Sequence, residues 1–178
     1  MSSIEVLEKY KLLSNKTLLI HCCYLSNHDI EIIKKYKCSI SLNPISNLKL
    51  NNAIPNINKL KEINLCIGTD GVATGCNLNI LDNIRILGLL YNIPDNELIN
   101  MITINANKYL NNKLGKIQKD YQADLNIYNL NDYRIVRHET FINNLIYSNN
   151  IVPKYTIIRG KRIINNYKNI LYNDKQIS

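Results

Sequence analysis

Three short apolar runs decide the fold class: TLLIH at 17–21, CSISL at 38–42 and NLCI at 64–67. Each is too short for a helix and nearly continuous in Ile, Leu or Cys, the pattern of a strand covered on both faces. Between the first two, Ser26 opens SNHD, a capping signal with an acid at its third helical position. Residues 27–36 follow as a helix, with Ile30, Ile32 and Ile33 apolar. Asn43-Pro44 ends the second run, and a polar loop is expected from there to Pro55. Residues 57–63 read as a short helix leading into the third run, which ends in Gly68-Thr69-Asp70-Gly71. Residues 78–90 are apolar on one face and read as a helix; residues 95–110 read as another, with Pro94 just before it. Strand and helix alternate, so the expectation is an α/β chain with three adjacent parallel strands in chain order.

Outward from this block, residues 4–13 carry apolar positions at helical spacing. Beyond Gly115 the pattern changes. Residues 123–128 and 155–158 read as strands, and Gly160-Lys161 as a hairpin turn into a strand at 162–164. The division expected is an α/β part at 1–114, a smaller β segment at 115–165, and a polar tail at 166–178.

At 178 residues the chain is long enough for a sizeable core and short for a multidomain enzyme. Its 46% hydrophobic and 20% charged residues exclude a disordered chain. Asn and Ile occur about thirty times each and Trp is absent, a bias of the kind AT-rich coding produces, which weakens inference from charge. The net charge of +8 is spread as single or paired lysines, with no basic run and no zinc-finger spacing, so neither a nucleic acid nor a membrane is expected as partner. Five cysteines, an odd number without a CxxC, read as reduced and mostly buried thiols of a cytoplasmic protein.

The three strand runs end in His21, Asn43 and Asp70. The C-terminal ends of parallel strands are where α/β folds bind ligands. Taken singly, each has a plainer reading: a hydrogen-bonded core histidine, an Asn-Pro turn, an Asp capping the next helix.

Together they resemble a known family. HCCYLS at 21–26, LNPISNLKL at 42–50 and IGTDG at 67–71 are similar to the amidohydrolase superfamily patterns HCxxLS, NPxSNLKL and GTDG, in the same order. The nearest branch is that of the methylthioadenosine/S-adenosylhomocysteine deaminases and their chlorohydrolase relatives. The likeness continues through Thr103-Ile104-Asn105-Ala106, Leu114-Gly115-Lys116-Ile117, Ala123-Asp124-Leu125, Leu145-Ile146-Tyr147 and Arg159-Gly160-Lys161, so it covers nearly the whole chain.

The resemblance implies a metal-dependent (β/α)8 barrel with a small β-sandwich, of which this chain holds the last three barrel strands and part of the sandwich. It implies that His21 is catalytic, facing the attacking water. Asp70 would be catalytic too, binding both zinc and substrate, while Asn43, Ser46 and Asn47 would be structural or line the pocket. The activity implied is hydrolytic deamination of an adenine-type nucleoside. Aminodeoxyfutalosine deaminase, guanine deaminase and chlorohydrolase are the alternatives within the family, and a non-catalytic fragment or interaction module is the alternative outside it. The family's paired metal histidines, its fifth-strand histidine and its proton-shuttling glutamate have no counterpart here. His28 and His138 lack ligand spacing. The expectation is that zinc, or another divalent metal, binds only with ligands from a missing N-terminal part. The chain alone is then expected to be inactive, and to self-associate or pair with that part. Ala73-Thr74-Gly75-Cys76-Asn77-Leu78-Asn79 also replaces the family's ASNNxLD, so the pocket wall there differs.

Overall fold

The computed structural model describes residues 1–75, 77–109, 113–166 and 168–169. The chain divides into two compact units, Met1–Asn112 and Lys113–Ser178.

The first unit is α/β. Strands β1 (Leu18–Ile20), β2 (Ser39–Leu42) and β3 (Asn64–Ile67) form a parallel sheet in the order β1-β2-β3. This open three-stranded sheet occupies the three apolar runs, trimmed by a residue at both ends of the first and at the start of the second. Helix α1 (Ser3–Lys9) starts at Ser2 and α2 (Asn27–Lys35) at Ser26, each with a full capping box. The core is aliphatic: Ile33, Ile40, Leu42, Leu60, Ile84, Leu87, Leu98 and Met101 are all buried. Burial of side chains this size contributes about 1.5–3 kcal/mol each.

Three expectations in this unit are corrected. The polar loop expected after Asn43 begins instead as helix α3 (Pro44–Lys49). Proline at the first helical position lacks an N–H that would go unpaired there anyway, and its fixed φ suits the helix, so Asn-Pro starts this element as well as ending β2. The helix expected over 57–63 is a single 3₁₀ turn, Ile57–Leu60. The long helix expected over 95–110 is broken into α6 (Asp95–Ile102) and α7 (Ile104–Lys108), while residue 110 lies outside the described residues. The break falls at Thr103, with φ −122° and ψ −88°. It turns Asn105 onto β3, where its Nδ2 donates to Leu65 O at 3.0 Å and its own carbonyl accepts from Asn64 Nδ2 at 3.0 Å. Between them, α4 (Val72–Gly75) and α5 (Ile80–Tyr91) follow the third strand.

The second unit carries an antiparallel sheet, β4 (Leu125–Ile127), β5 (Tyr155–Ile158), β6 (Lys161–Asn165) and β7 (Lys168–Asn169), in chain order. The hairpin turn is Arg159-Gly160, one residue earlier than the sequence reading. Both residues have positive φ, 50° and 75°, as a tight hairpin turn requires. Helix α8 (Phe141–Tyr147) was not expected; Thr140 caps it by accepting from Asn143 N. Buried Asn144 ties it to Val136, accepting from the Val136 N–H and donating to the Val136 carbonyl. The polar tail expected at 166–178 falls outside the described residues apart from 166, 168 and 169.

Candidate functional site

The site is built where the three parallel strands end. His21 follows β1, and its N–H still pairs with Ser41 O at 2.9 Å, so the ladder carries it to the sheet's edge before the chain turns away. The turn uses two consecutive left-handed residues, His21 at φ 67° and Cys22 at φ 52°. Asp70, three residues beyond β3, is also left-handed at φ 60°. Such backbone is uncommon for residues other than glycine, and it costs stability unless the surroundings hold it.

The geometry joins the two side chains. His21 Nε2 lies 3.7 Å from Asp70 Oδ2, with the side chains 38% and 28% exposed, so neither is sealed from solvent. Helix α3 holds each from behind. Ser46 Oγ donates to Asp70 Oδ2 at 2.5 Å, and Asn47 Oδ1 lies 2.8 Å from His21 Nδ1. Asp70 Oδ1 accepts from Gly71 N at 2.6 Å. These hydrogen bonds, the Ser46 hydroxyl first and the Gly71 N–H second, hold the Asp70 carboxyl below the usual carboxylate range. Asn43 braces the backbone. Its amide nitrogen meets Leu42 O and Ser41 O, and its oxygen meets Asp70 N at 3.3 Å.

Asn43, Ser46 and Asn47 are all buried. None presents an open face of its own. Ser46 and Asn47 act on the carboxylate and the ring, which is closer engagement than the sequence reading gave them. The signal was present: a helix begun at Pro44 puts 46 and 47 in its first turn, beside the ends of the strands.

The other sequence candidates lie elsewhere. His28 on α2 is exposed and sits 3.7 Å from Glu5 Oε1. His138 is exposed in the second unit. Burial pushes the Cys22 thiol up to about 12 and also raises those of Cys38 and Cys66, so none is poised as a thiolate.

A histidine nitrogen and an ionised carboxylate oxygen that face one position can hold a water and take its proton. They do not make a zinc site. Such sites take three or four protein ligands, and among the described residues no three His, Cys, Asp or Glu side chains gather. The donors of this chain by themselves do not fit the metal.

Comparison with known proteins gives the chain's family. Residues 1–163 match the amidohydrolase family model. A 5-methylthioadenosine/S-adenosylhomocysteine deaminase of Caldicellulosiruptor saccharolyticus is 34% identical over 173 residues, covering 90% of this chain and 40% of the relative. A 5'-deoxyadenosine deaminase of Methanopyrus kandleri is 30% identical over 186 residues, covering 98% of this chain and 43% of the relative. The chain thus spans about two fifths of the length of these relatives. Among solved structures, the atrazine chlorohydrolase of Arthrobacter aurescens in complex with zinc superposes with a TM-score of 0.90 at 21% identity, over 99% of this chain and 42% of that one. A zinc-bound adenosine deaminase of Xanthomonas campestris gives 0.87 at 21% identity, over 97% and 42%. At these identities the structural likeness speaks for the fold alone.

Proposed function

We propose a function from one premise: the chain belongs to the amidohydrolase family. It supplies part of the site of a hydrolase that deaminates an adenine-type nucleoside. Residues 1–114 form the last three strand-helix units of a (β/α)8 barrel, and residues 115–165 part of a β-sandwich. In the reaction, water adds to the amino-bearing carbon of the ring and ammonia leaves. Asp70, kept ionised by Ser46 and Gly71, takes a proton from the attacking water and returns it to the departing amino group, and His21 orients that water through Nε2. Asn43 and Ser46 bear on the substrate through Asp70, which they hold in place. The observation that carries the proposal is the 3.7 Å approach of His21 to Asp70 at the ends of parallel strands. The names of the relatives favour a nucleoside substrate.

The zinc seen in solved relatives would require ligands from outside this chain, with Asp70 as its one contribution. The chain is therefore incomplete as a catalyst on its own, and a preceding segment or a partner chain completes it. Among the described residues no helix is long and apolar enough to cross a membrane. The cytoplasm is proposed as its compartment on the reading of the five cysteines as reduced thiols. A non-catalytic role is the second reading, favoured by the small donor set.

The test is turnover of 5'-deoxyadenosine and methylthioadenosine, followed by the absorbance change as the amino group is lost. The purified chain is assayed alone, then co-expressed with the part of the Caldicellulosiruptor relative that it does not match. No turnover alone and turnover together is expected. Activity of the lone chain would defeat the claim of incompleteness. Inactivity of a folded, zinc-loaded assembly on either nucleoside would leave the non-catalytic reading standing.

A further inference from the structure

We propose that Asn47 is a positioning residue that sets the tautomer of His21, placing the ring hydrogen on Nδ1 and leaving Nε2 as the nitrogen with the free lone pair. The inference deepens the proposed site and rests on His21 acting there.

Asn47 is 1% exposed on α3, and its Oδ1 lies 2.8 Å from His21 Nδ1. An amide oxygen accepts and never donates, so the bond forms only if Nδ1 carries the hydrogen. In a neutral ring the other nitrogen is then an acceptor. That nitrogen, Nε2, faces Asp70 Oδ2 at 3.7 Å, and the carboxylate oxygen is itself an acceptor. Neither can donate to the other. Two acceptors aimed at one position converge on a group with hydrogens to give, and a water molecule is the smallest such group. The reverse tautomer would turn an N–H toward the carboxylate, and the ring could no longer accept from a water held there.

The rest of the Asn47 carboxamide points to the same role. Its Nδ2 is buried and has no hydrogen-bond partner among the described residues. A bare buried donor costs about 1–3 kcal/mol. Folding alone gives no reason to keep such a group, whereas an oxygen required at Nδ1 does. Leucine has nearly the same size and would fill the space without the penalty.

The test reads the ring nitrogens directly. Long-range proton–nitrogen correlation spectra of the ¹⁵N-labelled 178-residue chain are recorded at a pH high enough that the ring signals no longer move with further base. The His21 signals are those lost in His21→Gln. The expected result is that wild-type His21 is almost wholly the Nδ1–H form. Asn47→Leu shifts it to a majority of Nε2–H, and Asn47→Asp, which keeps an acceptor, retains Nδ1–H. An Nε2–H ring in the wild type overturns the proposal, as does an unchanged tautomer in a folded Asn47→Leu chain. If Asn47→Leu does not fold, the wild type and Asn47→Asp decide: Nδ1–H in both upholds the assignment, and Nε2–H in either overturns it. The measurement uses neither substrate nor metal, so its failure is separate from failure of the deaminase reading.

Discussion

Ser46 Oγ on α3 donates a 2.5 Å hydrogen bond to Asp70 Oδ2, so the helix that starts at the end of β2 fixes the carboxylate that follows β3. The same oxygen is the one nearest His21 Nε2. The carboxylate therefore reaches its partner already ionised and already aimed, before any ligand arrives.

Ser46→Ala removes the largest influence that lowers the Asp70 pKa, leaving the Gly71 N–H as the next. The Asp70 carboxyl, followed by ¹³C NMR, should titrate below the ordinary value of about 3.9 in the wild type and move up toward it in the variant. The sign for stability follows from the lowered folded-state pKa. The contribution of Asp70 is full above the unfolded-state value and is lost as pH falls through the folded-state value. The part of the acid limb that comes from Asp70 should thus be shallower in Ser46→Ala, because the folded- and unfolded-state values lie closer together. An Asp70 titration that ignores the substitution would show that the hydroxyl does not govern it.

Asn83 on α5 should matter as much to α3 as any residue of α3 itself. Asn43 makes no side-chain cap there, and Asn83 Oδ1 instead accepts from Ile45 N at 3.3 Å. Asn83→Ala removes that half-buried hydrogen bond, at an expected cost of about 0.5–1.5 kcal/mol in urea unfolding. The His21–Asp70 site should loosen with it, because Ser46 and Asn47 ride on the same helix. A midpoint unchanged in Asn83→Ala would refute this.

Gly75 closes the turn behind Asp70. A Cβ built there would lie 2.2 Å from Thr69 O, a backbone atom that cannot swing aside. Gly75→Ala should cost about 1–3 kcal/mol by overpacking, measured by denaturant titration, and should shift the backbone amide signals of Thr69 and Asp70. Wild-type stability in this variant would mean that the turn accommodates the methyl group.

The parallel sheet was legible in the sequence because its signal is local: three runs of consecutive apolar residues, each followed by a polar strand end. His21, Asn43 and Asp70 could be singled out for the same reason. What escaped depends on contacts distant in sequence. The Ser46–Asp70 bond spans 24 residues and the Asn47–His21 bond 26, and neither leaves a periodic trace. The break at Thr103 escaped because Asn105 is satisfied by β3, about 40 residues away, and helix propensity does not record such a partner. The helix at Phe141–Tyr147 was missed although Thr140 and the apolar Phe141, Ile142, Leu145 and Ile146 gave a short local pattern.

Strand β1 has β2 as its one partner strand among the described residues, and Ile20 on it is 48% exposed. An edge of this kind invites pairing with another chain. At tens of micromolar the chain should sediment as a species larger than a monomer. Ile20→Lys, a charge on that edge, should shift it toward the monomer. A wild-type chain that sediments as one sharp monomer and melts cooperatively would contradict the expectation.

The other side of the sheet behaves differently, and the reason is Asn105. Its carboxamide occupies the backbone carbonyl of Leu65 on β3, and its own carbonyl takes the Asn64 side-chain amide. A fibre grows only if every subunit offers two sticky sides, and here one of them is plugged by the protein's own helix. Stacking through β1 is therefore expected to stop at a pair joined back to back rather than to continue as a fibre.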